Sequence, residues 1–548
     1  MEKKLLNLVF LFVLNLAFSQ NTVGTISVTN EAYDGFTLFS VHTKSYLIDN
    51  CGQVVHQWTS AFLPGNAVYL LPNGNLLRAG KNDGQSQINF GGTGGVIELF
   101  DWDGNLLWQY EYNTDQHRQH HDVYPMPNGN VLILAATVMP QSEAVQAGRD
   151  TGLLPDNEVY NERIFEVEPV GSDQANVVWE WNAKDHLIQD FDIAKDNFGV
   201  IADHPEKLDF NFINGGTGGA NWLHVNSIQY DEALNQIVIS SRNLSEVWII
   251  DHSTTTAEAA TGSGGTYGKG GDFLYRWGNP QSYDQGMETD RQLFGQHYPH
   301  FIENGLVDAG KMMIFNNGNG RTPLFSEVFI IDPPTTAPGV YSYTTNTAYG
   351  PTAPDYIYSD RTNDPSDFYS GIVSGAQRLP NGNILICEGR EGHFFEINAS
   401  EEVVWNYINP VDNNSGVTAN QTQSVSPSNI VFRALKYSRA YAAFSGRDVT
   451  PGQPIEGNPD LTPCNALGID DYVLNNVRVY PNPSDDLIFI ETTQDIQKVE
   501  IHTVLGKKVR TYRNAKQINV SSLKHGIYLL KIFSMNAVVT RKIIVSSN

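Results

Sequence analysis

Three histidines recur at similar places in this 548-residue chain. His121 stands six residues before a turn, in His120-His-Asp-Val-Tyr-Pro-Met-Pro. His224 stands seven before the next, in Trp222-Leu-His-Val-Asn-Ser-Ile-Gln-Tyr-Asp. His297 opens the corresponding segment of a third unit, in Gly295-Gln-His-Tyr-Pro-His. Imidazole titrates near neutral pH and can serve as nucleophile, acid or base. A lone histidine on a strand is ordinarily a satisfied polar residue, whereas three at one position in neighbouring units point to a shared site. Arg242, in Ile239-Ser-Ser-Arg-Asn-Leu-Ser245, adds a cation whose five fixed donors suit an oxyanion. Its plainer alternative is a surface arginine in a polar loop. Two alternatives stay open here: His120 or His121 is the residue that faces the site, and His300 rivals His297.

These side chains need elements that bring them together. Tyr69-Leu-Leu-Pro-Asn-Gly-Asn-Leu-Leu77 is repeated as Tyr124–Leu132 and Gln377–Leu385, with degenerate copies at Ile228–Ile239 and Ile302–Ile314. Asn-Gly between apolar runs marks a tight hairpin, because both residues tolerate positive φ. A second hairpin ends in an aromatic residue, at Trp58, Tyr110, Trp181, Trp277 and Tyr407. Two hairpins make a four-stranded sheet, and the first two Pro-Asn-Gly-Asn turns lie 55 residues apart, the size of a propeller blade. The unit ending at Trp58 lacks its first strands, which the segment Ile430–Phe444 is expected to supply. The expected fold is all-β: a six-bladed β-propeller followed by a small C-terminal β-sandwich. The first strand of each blade lines the central channel, so residues at its start converge at one mouth. Asp122 and Asp231 read as structural groups that hold turns.

The formal charge of −25 divides into +6 from Val477 onward and −31 before it. So acidic a body disfavours nucleic acid and anionic membrane as partners, and an anionic substrate needs a local cation. Lys3 and Lys4, an apolar run over Leu5–Leu16 and Ala17-Phe18-Ser19 form an export signal over residues 1–19, with an apolar run too short for a membrane span. No later stretch qualifies as a span. Cys51, Cys387 and Cys464 allow one bridge or three free thiols. The propeller is expected over 20–445, a Gly/Pro-rich linker over 446–476 and a sandwich of short strands over 477–548. Gly262–Gly271 reads as a mobile loop, and neither a nucleotide-binding glycine motif nor a metal cluster is visible. No cofactor is expected.

Two resemblances extend this reading. Val479-Tyr-Pro-Asn-Pro-Ser484, Leu505-Gly-Lys-Lys-Val509, Leu523-Lys-His-Gly-Ile-Tyr528 and Lys542-Ile-Ile-Val545 resemble the C-terminal sorting domain of the type IX secretion system of Bacteroidetes. That implies export through the periplasm to the cell surface or medium, with the type IX machinery as a partner. His-His-Asp before Pro-Asn-Gly-Asn, then Trp-Leu-His-x-Asn-Ser-Ile-x-Tyr-Asp, Ser-Ser-Arg-Asn-Leu-Ser and Gly-Gln-His resemble the arylsulfate sulfotransferase family. The resemblance implies sulfuryl transfer from an aryl sulfate donor to a phenolic acceptor through a sulfohistidine, without a nucleotide donor. It places the nucleophile on His297, with His121, His224 and Arg242 as catalytic partners and Asn226 and His120 as substrate-binding groups. The alternative is a surface adhesin or glycan-binding propeller that has lost this chemistry. The signal and tail together imply a mature protein that starts near Gln20 and lacks the segment from Val477 on. Intact mass of the exported protein checks this, and an exported species that keeps Asn548 would overturn it.

Overall fold

Every strand must pair its backbone N–H and C=O groups, and a repeat of short strands does so by stacking sheets around an axis. The computed structural model describes residues 21–546 apart from 85, 216–217, 361–363, 365–366, 424–427, 466–476, 493–495, 504–506 and 534–537. The export signal expected over 1–19 lies outside them. Two compact units result, the first running to Pro459 without Val28–Asn30, and the second comprising Val28–Asn30 and the chain from Asp460.

Among the described residues of the first unit, six antiparallel sheets of four or five strands follow one another along the chain. Leu63–Leu70, Leu76–Lys81, Gly95–Phe100 and Leu106–Glu111 form one, each strand beside the next. The apolar residues of a sheet pack against the following sheet. Leu132 and Leu134 meet Ile237 and Ile239, and Val238 and Ile249 meet Met312 and Ile314. This is a β-propeller. Leu435–Ser438 pairs with Gly35–Val41 and becomes the first strand of the first sheet. The chain ends are thus exchanged near the expected place, although by one strand and not by a hairpin.

A tryptophan in the second hairpin of five of these sheets locks neighbouring blades. Indole N–H groups donate to backbone carbonyls of the next sheet: Trp58 to Asp101 at 2.9 Å, Trp108 to Gln174, Trp181 to Gly271 and Trp277 to Pro351, each at 2.8 Å. Trp405 closes the series on Asn50 at 2.8 Å, across a sequence gap of 355 residues. Each indole buries a large apolar face while its one donor stays satisfied. Buried ion pairs add to the closure: Lys436 Nζ lies 2.8 Å from Glu396 Oε2, with both side chains fully buried.

Two expectations need correction. Within the linker expected over 446–476, residues 446–457 belong to the first unit and are partly hydrogen-bonded to it. Gln453 accepts from Val54 N–H, Gly452 N–H donates to Val54 and Arg447 donates to Asn73. Paired backbone groups hold this stretch despite its Gly/Pro content; residues 466–476 lie outside the described set. The Gly262–Gly271 loop is likewise pinned, with Gly270 N–H on Gly264, Gly271 N–H on Thr261 and the Trp181 indole on Gly271. Cys51 takes part in a disulfide, and Cys387 is a buried free thiol. The second unit is a sandwich of a three- and a four-stranded sheet around Ile488, Ile490, Val499, Ile501, Leu530 and Ile532. Among the described residues no helix is long and apolar enough to cross a membrane.

Removing one partner of the Lys436–Glu396 pair strands the other charge in the core, which costs about 3–5 kcal/mol. Lys436→Met should lower the thermal midpoint sharply, and adding Glu396→Gln should recover most of the loss. Thermal melts of the two variants decide this; equal melting of wild type and Lys436→Met would show that the pair does not hold the ring closed.

Candidate active site

Inner strands must turn side chains into a narrow bore, and they do it with bulges, which re-aim side chains. Ladder register shifts between Pro64 and Val68, Ile133 and Ala135, Val225 and Ser227, and His297 and His300. In or beside these shifts stand non-glycine residues with left-handed backbone: Asn66 (φ 94°), His121 (φ 52°), His224 (φ 46°) and Tyr298 (φ 52°). Such conformations cost of order 1–3 kcal/mol each and persist where the surroundings over-determine them. The expected common position of the three histidines is therefore only approximate. His121 and His224 take the left-handed place themselves, whereas His297 precedes Tyr298, which takes it in that strand.

The three histidines nevertheless meet. The rings of His121 and His224 are 4.7 Å apart, and Phe432 sits 6.2 Å from His121 and 6.4 Å from His297. Phe90 packs on the other side, 5.6 Å from His224 and 5.0 Å from His120. His121 and His297 are buried and His224 is half-buried. His120 is fully buried, with Nε2 2.9 Å from Glu162 Oε2 and Nδ1 2.9 Å from His121 Nδ1. Both its ring nitrogens are engaged. The substrate-binding role expected for His120 is corrected accordingly: it backs His121, which is the one at the cluster.

Hydrogen bonds fix where the protons sit. Asn317 Nδ2 donates to the carbonyls of Ser370 at 2.6 Å and Val373 at 2.9 Å, so its Oδ1 must accept. That oxygen lies 2.7 Å from His297 Nδ1, which therefore carries the proton and leaves a lone pair on Nε2. Asn221 Nδ2 donates to His224 Nδ1 at 2.6 Å, leaving the His224 proton on Nε2. Burial pushes all three histidines toward the neutral form. His297 is lowered to about 3, by burial first and then by Arg242. His121 and His224 are lowered well below the usual value, again by burial first and then by the neighbouring histidines and Arg242.

Arg242 is the cation of the cluster. Its Nη1 donates to the Asn243 side chain at 3.2 Å, and among the described residues no carboxylate lies within ion-pair distance. Three other buried arginines are neutralised, Arg78 by Glu98, Arg276 by Glu246 and Arg433 by Asp122, whereas buried Arg149 donates to the Phe210 carbonyl and has no carboxylate at ion-pair distance among the described residues. Asn226 uses one end of its amide within the protein, while its buried Oδ1 is left without a hydrogen bond. Its Nδ2 donates to the Gln296 carbonyl at 2.8 Å, so it braces the residue before His297. Gln296 in turn donates to Ser241 and Glu246 carbonyls. Asp122 spans the bore instead of holding a turn, accepting from Arg433, Tyr69 and the Ile228 N–H. Asp231 does hold its turn, accepting from Leu234 N–H.

A cavity of about 950 Å³ lies elsewhere, at the hairpin turns. It is lined by Tyr124, Tyr230, Tyr437 and His300, with Asp231, Glu232 and Glu303 and no lysine or arginine. Carboxylates without a cation repel a sulfate ester, so volume does not mark the site. His300 belongs to that cavity and not to the histidine cluster.

The arylsulfotransferase (ASST) family model matches residues 22–433. The chain belongs to that family. A secretion system C-terminal sorting domain matches residues 478–546, which marks the chain for export to the cell surface by the type IX route. A comparison with curated proteins finds no match. Among solved structures, the chain is similar to a protein of unknown function from Bacteroides caccae, with 10% identity over 74% of this chain and 98% of that one and a TM-score of 0.39. It is also similar to the Pseudomonas aeruginosa periplasmic gluconolactonase PpgL, with 11% identity over 68% and 96% and a TM-score of 0.32.

Glu162, Asn221 and Asn317 engage the clustered histidines or their neighbour His120, yet none was foreseen. Glu162 lies in an ordinary strand sequence, Glu158–Val170, and Asn317 in an Asn-Asn-Gly run that reads as a turn. The neutral histidines have a consequence for stability. The unfolded chain titrates its histidines near 6.5, while His297 holds out to about 3 and His300 to about 4, both through burial. The unfolded state therefore binds more protons in that interval, and stability rises with pH across it. Thermal melts should drop as pH falls below about 6.5 and His297→Asn should flatten the drop, by up to about 1.4 kcal/mol per pH unit. An unchanged slope in that variant would contradict a neutral His297.

Proposed function

We propose that this protein moves a sulfuryl group from an aryl sulfate to a phenol through a sulfated His297, without a nucleotide donor. The observation that carries the reading is a guanidinium without a carboxylate, Arg242, in the same cluster as a histidine whose tautomer leaves Nε2 as a free lone pair. A sulfate monoester bears one negative charge, and its transfer through a loose transition state, by analogy with phosphoryl transfer, gathers charge on the peripheral oxygens. Arg242 and the His224 Nε2–H are the donors for those oxygens. Phe90 and Phe432 offer apolar faces for the aryl ring.

His297 Nε2 attacks sulfur, the S–O bond to the aryl group breaks, and the phenolate leaves. The acceptor oxygen then attacks sulfur, giving its proton to a neighbouring histidine, and the N–S bond breaks to regenerate neutral His297. Asn226 and Gln296 hold the His297 backbone, and Asn317 holds its ring. Burial keeps His297 unprotonated, and therefore nucleophilic, at any pH near neutrality.

Excess 4-nitrophenyl sulfate without acceptor should release about one equivalent of nitrophenol per site in a burst, the signature of a covalent intermediate. The sulfuryl mass should map between Leu293 and His300. His297→Asn should abolish burst and adduct, and His300→Asn should keep both. Arg242→Ala should cost about a hundredfold in rate, as removal of one transition-state donor typically does. Lysine should not rescue it, because the bidentate fork is lost. A folded wild type that gives neither burst nor adduct with any aryl sulfate would hand the site to the binding-protein reading.

A further inference from the structure

Phenols differ widely in acidity, and a transferase that accepts basic ones must supply and remove a proton at the reacting oxygen. His297 cannot do this, since its Nε2 carries the sulfuryl group and its Nδ1 is bound to Asn317. His224 holds Asn221 on Nδ1 and presents a donor on Nε2. His121 is the remaining imidazole, and it does not stand alone.

Behind it runs a chain of hydrogen bonds. Glu162 Oε1 accepts from the Val225 N–H at 2.9 Å, and Oε2 lies 2.9 Å from His120 Nε2. His120 Nδ1 faces His121 Nδ1 at 2.9 Å. Glu162 is 1% exposed and His120 0%, so water cannot substitute for any member. Two nitrogens facing each other at that distance share one proton, and its position decides what His121 Nε2 is. With the proton on His121 Nδ1, Nε2 is a lone pair and His121 is a base. With one more proton in the chain, His120 becomes an imidazolium against Glu162, His121 Nδ1 accepts from it, and His121 Nε2 carries a hydrogen it can give.

Resting on the sulfuryl-transfer reading, we propose that Glu162 and His120 are a proton store that switches His121 between acid and base. In the loaded form, His121 Nε2–H protonates the departing phenolate oxygen. The His120 Nδ1 proton then moves to His121 Nδ1, and the sulfated enzyme is left with an empty store. The acceptor phenol gives its proton to His121 Nε2 as its oxygen attacks sulfur, the Nδ1 proton returns to His120, and the store is loaded again. Each half-reaction moves one proton, and His121 is neutral in both forms. That matters because His224, His297, Arg242 and His120 surround His121 and each disfavours a charge on it, as burial does. The charge rests on His120, whose neighbour on the far side is a carboxylate. Glu162 and His120 are thus positioning residues, and His121 is the catalytic group.

The test separates substrates that need the proton from those that do not. A nitrophenol leaves and attacks as its anion, whereas phenol, ordinarily ionised only near pH 10, requires an acid on leaving and a base on attack. Glu162→Gln keeps the size of the side chain and removes the charge that stabilises the loaded store. It should retain the burst from 4-nitrophenyl sulfate and its transfer to a nitrophenol acceptor. Turnover of phenyl sulfate, and transfer to phenol, should fall about a hundredfold or more, the usual worth of a positioned acid or base. His120→Asn should give the same split and serves if Glu162→Gln does not accumulate folded. Equal losses for both substrate classes, or no loss for either, would overturn the store while leaving the burst, and so the sulfuryl-transfer reading, intact. A wild type with no burst would remove both.

Discussion

A guanidinium without a carboxylate, inside a protein of net charge −25, is the constraint around which this site is built. A buried or half-buried cation ordinarily finds a counter-ion, and the propeller follows that rule at Arg78, Arg276 and Arg433. Arg242 breaks it. Its charge is a standing cost that an arriving anion offsets, and the same charge helps hold His121, His224 and His297 neutral. One unpaired cation thereby provides both an attraction for sulfate and a set of unprotonated imidazoles. Neutralising it with a nearby carboxylate would remove the first effect and weaken the second.

Neutrality alone does not make a nucleophile, because an imidazole has two nitrogens and only one proper tautomer for attack. Here the choice is referred back to the backbone. Asn317 is fixed by two carbonyls, and it fixes His297. Glu162 is fixed by the Val225 N–H, and it engages His120 and through it His121. Amide and carboxylate partners of this kind cost little and keep a ring from flipping. The left-handed residues at the inner-strand bulges show that the fold tolerates local strain to aim these rings.

Much of the fold was legible because its signals are local. Asn-Gly turns, apolar alternation and terminal aromatics lie within a few residues of one another, and they marked the blades, the exchanged chain end and the tail strands. His121, His224, Arg242 and His297 stood out because each sits in a distinctive short motif. What failed was longer in range or finer in register. A bulge shifts which residue faces the bore, so the shared position assigned to the three histidines held only approximately. Asn226 was expected to face substrate, and the sequence did not show that its Nδ2 braces the Gln296 carbonyl, 70 residues away. Glu162 is 42 residues from His120, in a strand with no unusual spacing, and only the fold brings the two together. The Gly/Pro-rich stretch after Phe444 suggested freedom, yet composition says nothing of the backbone partners found at Val54 and Asn73.

The site also explains why ring closure and chemistry are one problem. His121, His224 and His297 come from three consecutive blades, and Phe432 lies just ahead of the strand that closes the ring on Gly35–Val41. Arg433, the next residue, crosses the bore to Asp122, and Trp405 and Lys436 tie the last sheets to the first. Neighbouring blades each contribute a side chain at the axis, so an angular error between any two would separate rings that now stand 4.7 Å apart. A displacement of even an ångström in such a constellation costs heavily in rate. The indole latches and buried ion pairs at the rim therefore act on the reaction through geometry, setting the spacing of histidines they never touch.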